Sequence, residues 1–130
     1  MAVTHSTASR DAATNAVVDQ LDGAGSKLVF RVGGTIGAPG AAAATLIMAT
    51  PAFGASSAGT ATAGAIASDT NAAGNASPVS KASLQTSVDA LAIYCDVAAS
   101  ASDINMTNGL TIAAGDTVSC SSLTYTALSA

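Results

Sequence analysis

The chain has 130 residues, a formal charge of −4 and only 9% charged residues, which favours one domain, or one domain with a flexible arm. Alanine supplies 32 residues, whereas Leu, Ile, Val and Phe together make up about 19%, so the core is expected to be thin and an oligomer or docked subunit is favoured. Two lysines and two arginines spread along the chain make no basic stripe, and two Phe and two Tyr offer no stacking platform, which excludes nucleic acid as a partner.

Near the start, Ser6 or Thr7 is placed to cap a helix carrying Ala8, Ala12, Ala16, Val17 and Leu21 at helical spacing, with Gly23 and Gly25 to stop it. Next, Lys27–Val32 alternates with Leu28, Phe30 and Val32 on one face and Val29 and Arg31 on the other, which predicts a strand bounded by glycines. After a loop at 33–40, the apolar run 44–50 ends at Pro51 and reads as a second strand. From 55 to 83 almost every residue is Ala, Gly, Ser, Thr or Asn, and only 60–66 alternates as a strand; the remainder is expected to be irregular loop.

In the C-terminal third, 90–97 predicts a strand with Leu91, Ile93, Cys95 and Val97 on one face and Tyr94 and Asp96 on the other; 83–92 also passes for a helix. Asn108–Gly109 is a hairpin signal between 104–106 and 110–112. In the last expected strand, 117–128, the apolar phase slips at Ser121–Ser122, which predicts a β-bulge. All eight acidic residues are Asp, a cap and turn residue more than a helix-surface one, and this too tilts the fold toward strands and loops.

The chemistry-bearing motifs mostly fail on spacing. Gly33–Gly40 follows a strand but opens no capped helix, so it reads as a loop and not as a phosphate cradle. Asp103–Gly109 has its glycine one place late for a calcium loop, and Ala114 stands where a bidentate Glu is needed. Cys95 and Cys120 have no nearby His and read as buried free thiols, and His5 is the only histidine for any relay. No catalytic residue, metal or cofactor is expected. Met1–Ser6 lacks the basic start of a secretory signal, and glycines and prolines break the apolar stretch 35–55, so no membrane partner is expected either.

The order of the segments 1–12, 17–25, 27–32, Pro51–Ala55, 59–68 and 112–124 resembles that of small virion structural proteins of tailed bacteriophages, of the capsid decoration or cement type. Such proteins carry an aromatic strand followed by an Asp-Gly turn where this chain has Ala90–Val97 and then Ala98–Ala101. The resemblance implies a mainly β fold, a single β-sandwich or jelly-roll-like domain over 26–130, preceded by an N-terminal arm and α-helix over 1–25. It further implies a non-enzymatic protein on the outer capsid surface, made in the host cytoplasm, whose partners are the major capsid protein and itself, as a homodimer or homotrimer. Val3, Thr4 and His5 in the arm, with Phe53 and Leu128 near loops or the chain end, are the candidate contacts. A tail, baseplate or head-fibre protein is the alternative within the virion. A glycan-binding adhesin is the alternative of another class, disfavoured by the few aromatics.

Overall fold

The computed structural model describes residues 3–128. Helix α1 spans Thr7–Val18 and continues as a 3-10 turn, Asp19–Leu21. Its first turn is capped by the Ser6 hydroxyl, which accepts from the Ser9 N–H. The strands are β1 (Lys27–Thr35), β2 (Ala38–Met48), β3 (Thr60–Thr62), β4 (Ile66–Ala67), β5 (Lys81–Gln85), β6 (Leu91–Ala98), β7 (Ile104–Asn105) and β8 (Thr124–Thr126). Six of them form one sheet in the order β4-β2-β1-β5-β6-β7, and β3 pairs with β8 in a two-stranded second sheet. The fold is mainly β, with one N-terminal helix and a β-sandwich-like layering.

The inner face of the large sheet carries Leu28 and Phe30 from β1, Ala44, Leu46 and Met48 from β2, Ala82 and Leu84 from β5, and Val97 from β6. Against it pack Val18, Leu21, Phe53, Ala61, Val79, Ile112 and Val118 from the second layer. Alternation puts the opposite residues on the outer face, as the pattern of 27–32 requires.

Helix α1 docks by polar groups more than by an apolar stripe. Thr14, fully buried, donates its hydroxyl to the Gly59 carbonyl at 2.6 Å and accepts the Ala127 N–H at 3.1 Å. Asp11 accepts the Ser56 hydroxyl at 2.9 Å and the Gly59 N–H at 2.8 Å, while Asn15 accepts the Ser56 N–H. These bonds tie the helix to β3, β8 and the loop before β3 of its own chain.

Several expectations change in the structure. The loop expected at 33–40 is the tip of a β1–β2 hairpin, with Gly34 opposite Pro39 and Thr35 opposite Ala38. The strand expected at 60–66 is two short strands in different sheets, because Ala63 donates to the Leu123 carbonyl while Ala65 accepts from Ala49 of the large sheet. The hairpin expected around Asn108–Gly109 does not pair with itself. Ile104 and Asn105 run parallel to Val97 and Ala98, whereas Leu110 and Ile112 accept from Val79 and Asn75. With Asp69 bridging Val118 and Ala72 bonded to Gly115 and Asp116, the irregular segments 69–79 and 110–118 form an antiparallel zipper. Of the two expectations for this stretch, an ordered irregular loop or a mobile one, these bonds favour the first, tying it down along much of its length.

No bulge sits at Ser121–Ser122. The phase slip there marks a change of partner, from Asp69 at Val118 to β3 at Thr124–Thr126. Register shifts occur instead opposite Phe30/Arg31 and Leu84/Gln85, where Ala43 and Ala92 are the extra residues. The second one moves Leu91 to the outer face, opposite Gln85, so it does not share a face with Ile93, Cys95 and Val97 as the sequence predicts.

Candidate docking surface

The outer face of the large sheet is built from alternate residues: Lys27, Val29 and Arg31 on β1, Thr45 and Ile47 on β2, Ser83 and Gln85 on β5, and Leu91, Tyr94 and Asp96 on β6. Arg31 lies across its centre. Its guanidinium donates to Ser83 Oγ at 2.9 Å, to the Gly40 carbonyl at 2.8 Å and to Gln85 Oε1 at 2.9 Å. Ser83 also donates to Gln85 Oε1, and Gln85 Nε2 donates to Asp89, which is paired with Lys27 at 2.9 Å. Under this network Ser83 is 0% and Gln85 3% exposed, and both are satisfied.

The hairpin tip is fixed to the same face. Tyr94 donates its hydroxyl to the Gly33 carbonyl at 2.6 Å and accepts the Gly40 N–H at 3.3 Å. Between tip and sheet lies a cleft of about 380 Å³, floored by Val29, Arg31 and Thr45 and rimmed by Lys27, Pro39 and Asp89. Gly34 and Gly40 allow this close crossing: a Cβ on Gly40 would collide with the Val32 carbonyl, and one on Gly34 with the Gly40 nitrogen.

Charge is unevenly placed. Three of the four basic residues, Lys27, Arg31 and Lys81, stand on this face of a chain whose net charge is −4. Lys27 pairs with Asp89 and Lys81 with Asp96, while Arg31 meets only neutral acceptors. Hydrogen bonds from Lys27 and then Gln85 hold the Asp89 carboxyl below its ordinary range, and the bond to Asp96 raises Lys81. At one end of the sheet Ile47 is 44% exposed opposite Lys27, and Val88 is 82% exposed in the turn beside Asp89.

The residues expected from sequence to make contacts lie elsewhere. Phe53 is 3% exposed and bridges Ala63, so its ring belongs to the core and supplies no docking surface. Val3 and Thr4 are exposed and His5 is half-buried ahead of the helix cap, and Leu128 is half-buried beyond β8. Among the described residues no group of three or more His, Cys, Asp or Glu is placed to hold a metal ion. Both cysteines are free and half-buried; burial pushes the Cys95 thiol up to about 11 and raises Cys120, which keeps both protonated at neutral pH.

Sequence reasoning placed Arg31 on the correct face but missed the site, because it missed β5. The signal was present as period-two alternation, with Lys81, Ser83 and Gln85 on one side and Ala82 and Leu84 on the other. Compared with protein-family models, curated proteins and solved structures, the chain matches none.

Proposed function

We propose that the chain is a non-enzymatic decoration protein of tailed bacteriophage capsids, which binds the outer surface of the assembled shell and clamps neighbouring major capsid protein subunits. The reading rests on the resemblance in segment order and on one structural observation. The outer sheet face is braced by internal hydrogen bonds centred on the half-buried Arg31, while it presents exposed Ile47 next to a cleft.

A surface held in place before binding loses little freedom on docking, and such a clamp works by mass action without a reactive group. With Lys27 matched by Asp89 and Lys81 by Asp96, Arg31 leaves this face slightly positive in a chain of net charge −4, which favours docking by this face over the acidic remainder of the surface. Each copy binding only the assembled lattice stabilises it, and many copies add their binding free energies.

Quantitative mass spectrometry of virions purified from the encoding phage tests this reading. The expected ratio to the major capsid protein is near one, or a simple fraction such as a half or a third. A handful of copies per particle would reassign the chain to a tail, baseplate or head fibre, and its absence from the particle would overturn the reading. On stripped capsids, Arg31→Ala is expected to bind more weakly, and wild-type binding is expected to fall as salt is raised.

A further inference from the structure

Asn108–Gly109 carries a turn signal that the fold does not use for a hairpin. The segments on either side of it pair elsewhere, Ile104 and Asn105 with β6, and Leu110 and Ile112 with Val79 and Asn75. The chain is anchored at Met106, whose N–H donates to the Ala98 carbonyl at 2.8 Å, and at Leu110, whose carbonyl accepts from Val79 at 2.8 Å. Between these anchors Thr107, Asn108 and Gly109 are exposed. Among the described residues neither the Asn108 carboxamide nor the Gly109 N–H has a hydrogen-bond partner. Gly109 has a φ of +104°, and a Cβ placed there would meet nothing within 4 Å.

The sequence contains five asparagines, and the other four are held in place. Ala16, which follows Asn15, lies inside α1, and the N–H groups that follow Asn71 and Asn105 donate to the Asp116 and Ala98 carbonyls. The side chains of Asn15, Asn75 and Asn105 accept from the N–H groups of Ser56, Ser77 and Ser102. Each of the four also precedes a residue that carries a Cβ: Ala16, Ala72, Ala76 or Met106. At Asn108 an unheld carboxamide, an unheld N–H on the following residue and a glycine coincide.

We propose that Asn108 is a site of spontaneous deamidation in the folded chain, with the Gly109 backbone nitrogen as nucleophile and water as co-reactant. The nitrogen loses its proton to hydroxide and attacks Asn108 Cγ. A C–N bond forms, the Cγ–Nδ2 bond breaks, and ammonia leaves with a proton from solvent, which closes a cyclic imide. Water then opens the ring: breaking the new bond at Cγ leaves aspartate, and breaking the former peptide bond leaves isoaspartate. One water enters, one ammonia departs, and nothing is oxidised or reduced. Glycine suits the closure, because it has no side chain to shield its nitrogen and its backbone turns freely. The anchors at Met106 and Leu110 lie outside the reacting pair, so the fold survives the change. The product adds a negative charge to a chain of net charge −4, on the wall of a cleft of about 310 Å³ that Asp116 already lines. The inference stands whether or not the chain coats a capsid.

Incubation of the full chain at mildly alkaline pH over days tests it, read by peptide mass mapping and by an isoaspartyl methyltransferase assay, with a parallel sample unfolded in guanidinium chloride. Expected is a gain of about 1 Da confined to the peptide that contains Asn108, together with an isoaspartate signal. The native rate is expected to lie within about tenfold of the unfolded rate, because the fold leaves this span open. The converted chain should keep its Leu28 amide protected. Asn108→Gln is expected to abolish the gain, and Gly109→Ala to slow it about tenfold in native and unfolded samples alike. A native rate below that range would show that the fold holds the carboxamide and nitrogen apart, and would overturn the proposal. Earlier conversion at another asparagine, no conversion in either sample, or a rate indifferent to Gly109→Ala would overturn it equally.

Discussion

Arg31 shows how one side chain can hold a surface. Two of its three bonds go to Ser83 and Gln85, buried polar residues that also bond each other and, through Gln85, Asp89; the third ties the hairpin tip at the Gly40 carbonyl. Truncation to alanine removes these donors and is expected to cost about 1–3 kcal/mol, read as a lower urea midpoint with unchanged slope. Lysine cannot reproduce the fork and is expected to recover only part of it. At the helix, Asp11 is held below the ordinary carboxylate range, first by the Gly59 N–H and then by the Ser56 hydroxyl. Its stabilising contribution is therefore present above its unfolded value, near pH 4, and is lost as pH falls through the lowered folded value. Asp22 has the opposite sign, raised by burial and by Asp19, with one oxygen buried and unpartnered. Its favourable share exists at low pH and disappears as pH rises through the raised value. Asp11→Asn is expected to flatten the acid limb of the stability curve, and Asp22→Asn to raise stability at neutral pH; urea melts across pH 2–7 check both.

At the scale of elements, the helix cap and the faces of β1 were legible in the sequence, whereas the clean alternation of 81–85 went unread. The helical spacing of Ala8, Ala12 and Ala16 marks an exposed face, with Thr14 and Val18 turned inward. Ser6 caps α1 as expected, and the two faces of 27–32 are those of β1. Elements held by partners distant in sequence were not legible. Leu110 and Ile112 follow a good turn signal, yet they bond Val79 and Asn75, because the zipper offers them partners over the core. Phe53 is an aromatic in a Gly- and Ala-rich stretch, and nothing local tells core from contact; in the fold it is 3% exposed and lies in the core cluster. The zipper depends on Gly74, whose N–H donates to the Ala43 carbonyl at 2.8 Å and whose φ is +73°. A Cβ there would collide with the Ala114 nitrogen and lie 2.6 Å from the Ala113 carbonyl carbon. Gly74→Ala therefore combines a left-handed backbone with a backbone clash and is expected to cost at least about 1–3 kcal/mol. Amide exchange should show the loss first at Ala72, Asn75 and Gly115, whose bonds the zipper holds; equal protection in both proteins would contradict this account.

For the molecule as a whole, the thin core expected from composition is what the structure contains. The largest side chains below 2% exposure are Leu21, Leu28, Leu46, Val18 and Val79, followed by Thr14, Ser26 and Ser83, so alanines and hydroxyls fill space that larger domains give to Ile and Phe. The hydroxyls are placed there by bonds: Ser26 donates to the Leu21 carbonyl at 2.6 Å, and Thr14 joins the helix to Gly59 and Ala127. Such a core specifies the fold through hydrogen-bond geometry as much as through apolar burial, and it leaves a small stability margin. Binding to a lattice that accepts only the folded chain adds RT ln(1 + [sites]/Kd), about 2.7 kcal/mol when free sites exceed Kd a hundredfold. Under the decoration reading, amides that exchange only through global unfolding, such as those of Leu28 and Leu46 in the central strands, should exchange about a hundredfold more slowly on capsids at that excess. Amides that open locally, such as those of Val3 and Thr4 ahead of the cap, should change little unless they lie in the contact. Uniform slowing of core amides on capsids, absent with capsids whose sites are already filled, is the expected result; unchanged core exchange at saturating sites would show that the lattice does not select the folded state.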